Sequence, residues 1–107
     1  MKLKISTLFF VIIFNTSSVI AQVQETRTMY YGNETREYTI YVPASYTSSV
    51  ATPILFSFHG GGGDGLSMML GTNDMRPIAD TANFIAIYPS GSGGAWMHKA
   101  PTNYNDI

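Results

Sequence analysis

The stretch His59-Gly60-Gly61-Gly62-Gly63-Asp64-Gly65 is where this sequence gathers residues that could do chemistry. Glycine loses more conformational freedom on ordering than any other residue. A run of it belongs where backbone must bend tightly or approach a ligand closely. Backbone N–H groups without side chains can receive the negative charge that builds on a carbonyl oxygen during acyl transfer, and one such donor is worth about 3–4 kcal/mol in the barrier. The same glycines invite a second reading, because Gly60, Gly62 and Gly65 satisfy the G-x-G-x-x-G of dinucleotide-binding loops. Against it, the next strand ends in Tyr88-Pro89-Ser90 with no acid to take a ribose hydroxyl, and no helix is expected to open directly at Gly65. A phosphate loop of the Walker type fails, since no Gly-Lys-Ser/Thr follows. The oxyanion loop is the favoured reading, and a merely flexible loop stays open beside it.

Other candidates are weaker. His59, directly at a strand end, is expected to order the loop through a side-chain hydrogen bond and not to act as a base. His98 reads as a surface residue. Ser92 sits in Ser90-Gly91-Ser92-Gly93-Gly94, which lacks the first glycine of G-x-S-x-G and the strand-turn-helix setting of a nucleophile elbow. Met68, Met69 and Met75 read as packing filler. Asp64, Asp74, Asp80 and Asp106 are too scattered for a metal cluster. With no cysteine there is neither a disulfide framework nor a thiolate metal site. The Asn33-Glu34-Thr35 sequon reads as a chance match on a turn.

The elements that must position the loop follow from periodicity. Residues 26–31 and 36–42 are rich in Tyr, Thr, Ile and Val, with the hairpin signal Gly32-Asn33 between them. In the second run Tyr38, Ile40 and Val42 share one face and Glu37, Thr39 and Tyr41 the other, as in a half-buried antiparallel strand ended by Pro43. Residues 44–52 are a polar surface loop. Residues 53–58 and 84–88 are apolar on both faces, as strands of a covered parallel sheet are, and Pro89 is expected to close the second. Residues 60–73 are expected to be a loop. Residues 74–82 place Met75, Ile78, Ala79 and Ala82 on one helical face, with Asn73 or Asp74 as cap and Pro77 in the first turn. Residues 90–107 are expected to be irregular. The fold class is therefore α/β, a mixed sheet with an antiparallel hairpin followed by a β-α-β unit.

The chain's 107 residues allow one domain at most, and 45% hydrophobic with 12% charged residues fits a folded protein. Lys2 and Lys4, the apolar run Leu8 to Phe14, and the polar stretch leading to Ala21 have the layout of a secretory signal. The run is too short for a bilayer core of ~30 Å, which needs about 20 residues. The expected organisation is a signal over 1–21, cleaved after Ala21, and a domain over 22–107 exported to the periplasm or outside the cell. Residues 22–107 retain Arg27, Arg36, Arg76 and Lys99 against all seven acidic residues. That balance offers nothing to nucleic acid and, once the signal is gone, nothing to a membrane.

Several strings together carry a resemblance. They are Arg36-x-Tyr38-x-x-Tyr41-x-Pro43, the run from Pro53 through His59 to Gly63, Met75 with Ala79-Asp80, the run Asn83 to Gly91, Trp96, and the closing Asn105-Asp106-Ile107. This combination resembles secreted polyhydroxybutyrate depolymerase and feruloyl esterase-like enzymes, α/β-hydrolases related to carbohydrate esterase family 1, from about Arg36 to Ile107. An HGGG-type loop after the third strand is the lipase and esterase arrangement. The resemblance implies a Ser-Asp-His triad downstream of Ile107 and assigns the oxyanion loop to His59, Gly60, Gly61 and Gly62. No catalytic residue of the triad falls in this chain, and no metal or organic cofactor is implied. Ser90 departs from the family, where an acid is common. The chain is thus expected to be the N-terminal part of an α/β-hydrolase sheet, truncated before the nucleophile elbow, inactive alone and with an open strand edge. The implied substrate is an ester, either a polyester or an esterified polysaccharide such as a feruloylated or acetylated xylan. The rival is a non-catalytic secreted module in which Tyr30, Tyr31, Tyr38, Tyr41 and Trp96 stack on polymer or carbohydrate.

Overall fold

Gly32 and Asn33 both adopt positive φ, 62° and 61°. This is the left-handed pair that a two-residue hairpin turn demands, and it matches the twist of the flanking strands. The turn joins β1 (Val23–Tyr31) to β2 (Glu34–Val42) in antiparallel register, Tyr31 opposite Glu34 and Val23 opposite Val42. The computed structural model describes Lys2, Ile12, Ile13 and residues 21–96. His98, Asp106 and nearly all of the expected signal lie outside the described residues.

After β2 come β3 (Ile54–Phe56), α1 (Gly65–Ser67), a π-helical turn (Met68–Thr72), α2 (Arg76–Ala82), β4 (Ile85–Ser90) and a 3-10 turn (Ser92–Gly94). The sheet order is β1-β2-β4-β3. β2 and β4 are antiparallel, and β3 and β4 parallel. This is the mixed sheet that the periodicity implied.

Three elements differ from expectation. Pro89 does not close β4 but lies within it, opposite Tyr38. Ile85 N donates to Pro53 O and Ile87 O accepts from Ser57 N, so the odd-numbered residues of β4 turn their backbone polar groups toward β3. At Pro89 that side has no strand left, and the missing N–H costs no ladder bond. Residues 60–73 are not all loop: a helical turn opens at Gly65, with Asp64 as its cap. The Asp64 carboxylate accepts from Ser67 N at 2.8 Å and from Ser67 Oγ at 2.9 Å. These bonds hold its pKa below the ordinary carboxylate range. The third difference concerns burial. Ile54, Leu55 and Phe56 were expected to be covered on both faces, yet they are 54%, 37% and 56% exposed. Among the described residues β3 pairs with β4 alone, and helices cover only one face of the sheet.

That covered face holds the core. Tyr41, Ala86 and Tyr88 of the sheet meet Met69 and Ala79, with Met68, Met75 and Phe84 packed around them. The methionines are packing residues, as their type suggested. The face of β2 that is buried is the more polar one, because its polar tips find partners. Thr39 Oγ1 pairs with Thr26 Oγ1 at 3.0 Å across the hairpin, and the Tyr41 hydroxyl donates to Asp80 Oδ1 at 2.6 Å. Tyr38 and Ile40 instead line a 470 Å³ cavity on the open face, with Met29, Phe56, Ile87 and Trp96. On α2 the expected apolar stripe is only partly used. Ala79 is buried, while Ile78 is 52% exposed. The helix begins where Asp74 Oδ1 accepts from Arg76 N, and stops at Asn83 in the left-handed conformation, φ 54°.

Burial, followed by the bond to Asp80, pushes the Tyr41 pKa up to about 12. Its folded pKa lies above the unfolded value of about 10. The stability it contributes is therefore complete below pH 10 and is lost as pH rises toward 12. Tyr88 shifts the same way through burial. Tyr41→Phe should flatten part of the alkaline fall in Tm while costing about 1–2 kcal/mol at neutral pH. Thermal melts between pH 7 and 12 check this, and an unchanged alkaline limb would refute it.

Candidate functional site

β3 runs into the glycine loop, and β4 runs into the turn at 91–96 that holds it. His59, 5% exposed, joins the two. Its Nε2 lies 3.0 Å from Gly91 N and can only accept there. That fixes the tautomer: Nδ1 carries the proton and donates to Gly60 O at 2.6 Å. Trp96 Nε1 donates to His59 O at 2.7 Å, and its ring lies 4.7 Å from the imidazole. With both ring nitrogens committed, His59 orders the loop, as its place at a strand end suggested.

The Gly60 carbonyl also accepts from Gly63 N at 3.2 Å. Held from two directions, it fixes the plane of the peptide that follows. A trans peptide points its N–H opposite to its C=O, so Gly61 N–H is directed away from His59. Gly62, at φ +79°, spends its own N–H on Gly94 O at 2.8 Å. Gly62 therefore shapes the loop, and of the three glycines expected to form the oxyanion loop only Gly60 and Gly61 keep N–H groups without a partner among the described residues.

The glycines are not equivalent. A Cβ on Gly63 would stand 3.2 Å from the His59 ring, and one on Gly65 would stand 2.0 Å from Tyr88 O. Gly65 is closed by backbone packing, and Gly63 is tight against the His59 side chain. A Cβ on Gly60 or Gly61 meets no atom within 4 Å, and neither residue has positive φ. Packing among the described residues does not require glycine at either place. Both residues are exposed, and their N–H groups have no partner among the described residues.

The nucleotide reading gains a helical turn at Gly65 that the sequence did not suggest, yet the turn is already occupied. Gly65 N donates to Ser90 Oγ at 2.9 Å, and the Asp64 carboxylate caps the next donors. A carboxylate at that end repels a phosphate. Ser92 Oγ donates to Glu34 Oε2 at 2.6 Å and accepts from Arg36 Nη1 at 3.0 Å, with no imidazole bonded to it among the described residues. Among the described residues, no three His, Asp or Glu side chains converge as a metal site would require. Of the five aromatic residues that could stack on a polymer, Tyr31, Tyr38 and Trp96 line the cavity on the open face. Tyr30 and Tyr31 are exposed but adjacent on one strand, so they face opposite ways. Tyr41 is buried, and Trp96 packs between His59 and Phe58.

No family model matches the sequence, and no curated protein matches it. Solved structures do. The chain is similar to a feruloyl esterase (FAE), with 23% identity and a TM-score of 0.57 over 69% of this chain and 29% of that one. It is similar to the S-formylglutathione hydrolase of Staphylococcus aureus in its apo form, with 15% identity and a TM-score of 0.55 over 74% of this chain and 34% of that one. It is also similar to the CE1 ferulic acid esterase of Anaeromyces mucronatus in complex with ferulic acid, with 17% identity and a TM-score of 0.55 over 80% of this chain and 34% of that one. The chain spans about a third of the length of these structures. Its mixed four-stranded sheet, with helices on one face among the described residues, is a part of the α/β-hydrolase fold.

Proposed function

We propose that this chain is the N-terminal part of an exported serine carboxylic ester hydrolase and supplies its oxyanion loop. The observation that carries the reading is the pair of adjacent N–H groups on Gly60 and Gly61. They are exposed, unpartnered among the described residues and free of any packing need for glycine, beside a carbonyl held from both sides. A serine Oγ from the rest of the enzyme attacks the ester carbonyl, and a histidine there takes its proton. The carbonyl oxygen becomes an oxyanion. Donors preorganised at that point stabilise it without reorganising as the charge develops. Gly60 and Gly61 have that character, and His59 keeps them aimed. The substrate class is a polyester, as in polyhydroxybutyrate depolymerases, or a feruloyl or acetyl ester of a polysaccharide. The similarity in fold to feruloyl esterases supports the second. The signal-like layout of residues 1–21 supports export.

The test is hydrolysis of a short-chain nitrophenyl ester by the complete enzyme encoded with this segment, with and without replacement of the serine in its G-x-S-x-G. Turnover abolished by that replacement is expected. Turnover that survives it would overturn the reading.

A further inference from the structure

The glycine loop leans on a second loop, and that second loop is fastened to β2 by side chains the proposed chemistry does not use. Ser92 opens the turn 92–94. Its hydroxyl donates to Glu34 Oε2 at 2.6 Å and accepts from Arg36 Nη1 at 3.0 Å, while Arg36 Nη2 lies 3.6 Å from the same carboxylate. Glu34 and Arg36 stand two apart on β2 and so share one face. Beyond Ser92 come Gly93 and Gly94, both at positive φ, +61° and +79°. Gly94 N donates to Gly91 O at 3.1 Å, and Gly94 O accepts from Gly62 N at 2.8 Å. Two glycines in the left-handed region have many other conformations open to them. Neither has a side chain to fix the turn, whereas the Ser92 side chain ties its first residue to β2.

We propose that Ser92, held by Glu34 and Arg36, is a positioning residue for the glycine loop. It fixes the Gly94 carbonyl so that this carbonyl takes the Gly62 N–H and leaves those of Gly60 and Gly61 as the donors for an anion. The proposal rests on the oxyanion reading for its purpose, but its geometry can be tested apart from that reading. Charge-assisted hydrogen bonds are the strong ones, and Ser92 makes one to each partner.

The experiment is amide hydrogen exchange by NMR on the intact protein, followed by titration with acetate as a carboxylate probe. Ser92→Ala is expected to speed exchange at Gly62 by roughly tenfold or more, while the amides of Ala86 and Tyr88 keep their protection. Ser92→Thr, which keeps the hydroxyl, is expected to restore protection at Gly62. Glu34→Gln keeps an acceptor without the charge and should give an intermediate rate. This variant carries the test if Ser92→Ala loses the core amides as well. Equal protection of Gly62 in the unaltered protein, Ser92→Ala and Glu34→Gln overturns the brace. Acetate is expected to shift the Gly60 and Gly61 amides of the unaltered protein, and to do so less in Ser92→Ala. A loosened Gly62 with no acetate response in the unaltered protein overturns the oxyanion reading and leaves the brace standing.

Discussion

Gly65→Ala is expected to unseat the glycine loop from the sheet and to lower stability by about 2–3 kcal/mol. A Cβ at this position would lie 2.0 Å from Tyr88 O and 2.9 Å from Tyr88 C, both backbone atoms of the central strand β4. No rotamer can relieve a clash with backbone. Either α1 lifts or β4 bends, and both movements break bonds. If α1 lifts, Gly65 N loses Ser90 Oγ and the Asp64 cap is displaced. If β4 bends, Tyr88 moves, and its hydroxyl gives up the bonds it makes to Asn73 O at 3.0 Å and from Met75 N at 2.9 Å. Gly65 does not have positive φ, so the cost is steric and owes nothing to backbone preference. A thermal melt should show Tm lowered by on the order of 10 °C or more. A melt within about 2 °C of the unaltered protein would show that α1 does not sit on β4 as described.

Gly61→Ala is expected to do the reverse, leaving the fold alone and damaging the chemistry. The new methyl meets no atom of the described residues within 4 Å, and Gly61 is not in the left-handed region. Stability should be unchanged or raised by about 0.4–1 kcal/mol, since alanine has less freedom to lose on folding. The methyl, however, occupies space beside the two donors where an ester carbonyl would have to come. In the complete enzyme the turnover of a nitrophenyl ester should fall by about a hundredfold, the order associated with losing one oxyanion donor. Gly60→Ala should behave likewise. Full activity in a stable Gly61→Ala enzyme would mean that this loop never touches the reacting carbonyl. Together with Gly65→Ala, these variants divide one run of glycines into those kept for packing and those kept for approach.

Much of the framework was legible in the sequence because it rests on local rules. Gly32-Asn33 between two β-rich runs specifies a hairpin, since only residues tolerant of positive φ make that turn. The apolar run from Phe84 locates β4, and Pro77 with Met75 and Ala79 locates α2. The place of His59 at a strand end already suggested an ordering role, which its two ring contacts display. Local rules were insufficient wherever a partner distant in sequence changes the cost of a choice. Pro89 reads as a strand end, yet it is tolerated inside β4 because β3 has already stopped on the side its nitrogen faces. Thr39 and Tyr41 read as the polar face of β2, yet they are buried because Thr26 and Asp80 meet their hydroxyls. Asp64-Gly65 reads as more loop, yet a helical turn opens there because Ser67 and Ser90 satisfy both residues.

The sequence by itself determined that backbone N–H groups are concentrated at the end of a strand and that an α/β sheet carries them. Residue type alone fixes the absence of side chains, and hydrophobic periodicity alone fixes the strands and the helix. Only the tertiary structure decided which of those N–H groups are free. That outcome depends on Gly94, whose carbonyl takes the Gly62 N–H, and on Gly91, whose N–H selects the His59 tautomer that clamps Gly60. Both partners lie some thirty residues further along the chain, and the parallel pairing of β3 with β4 is what brings them alongside.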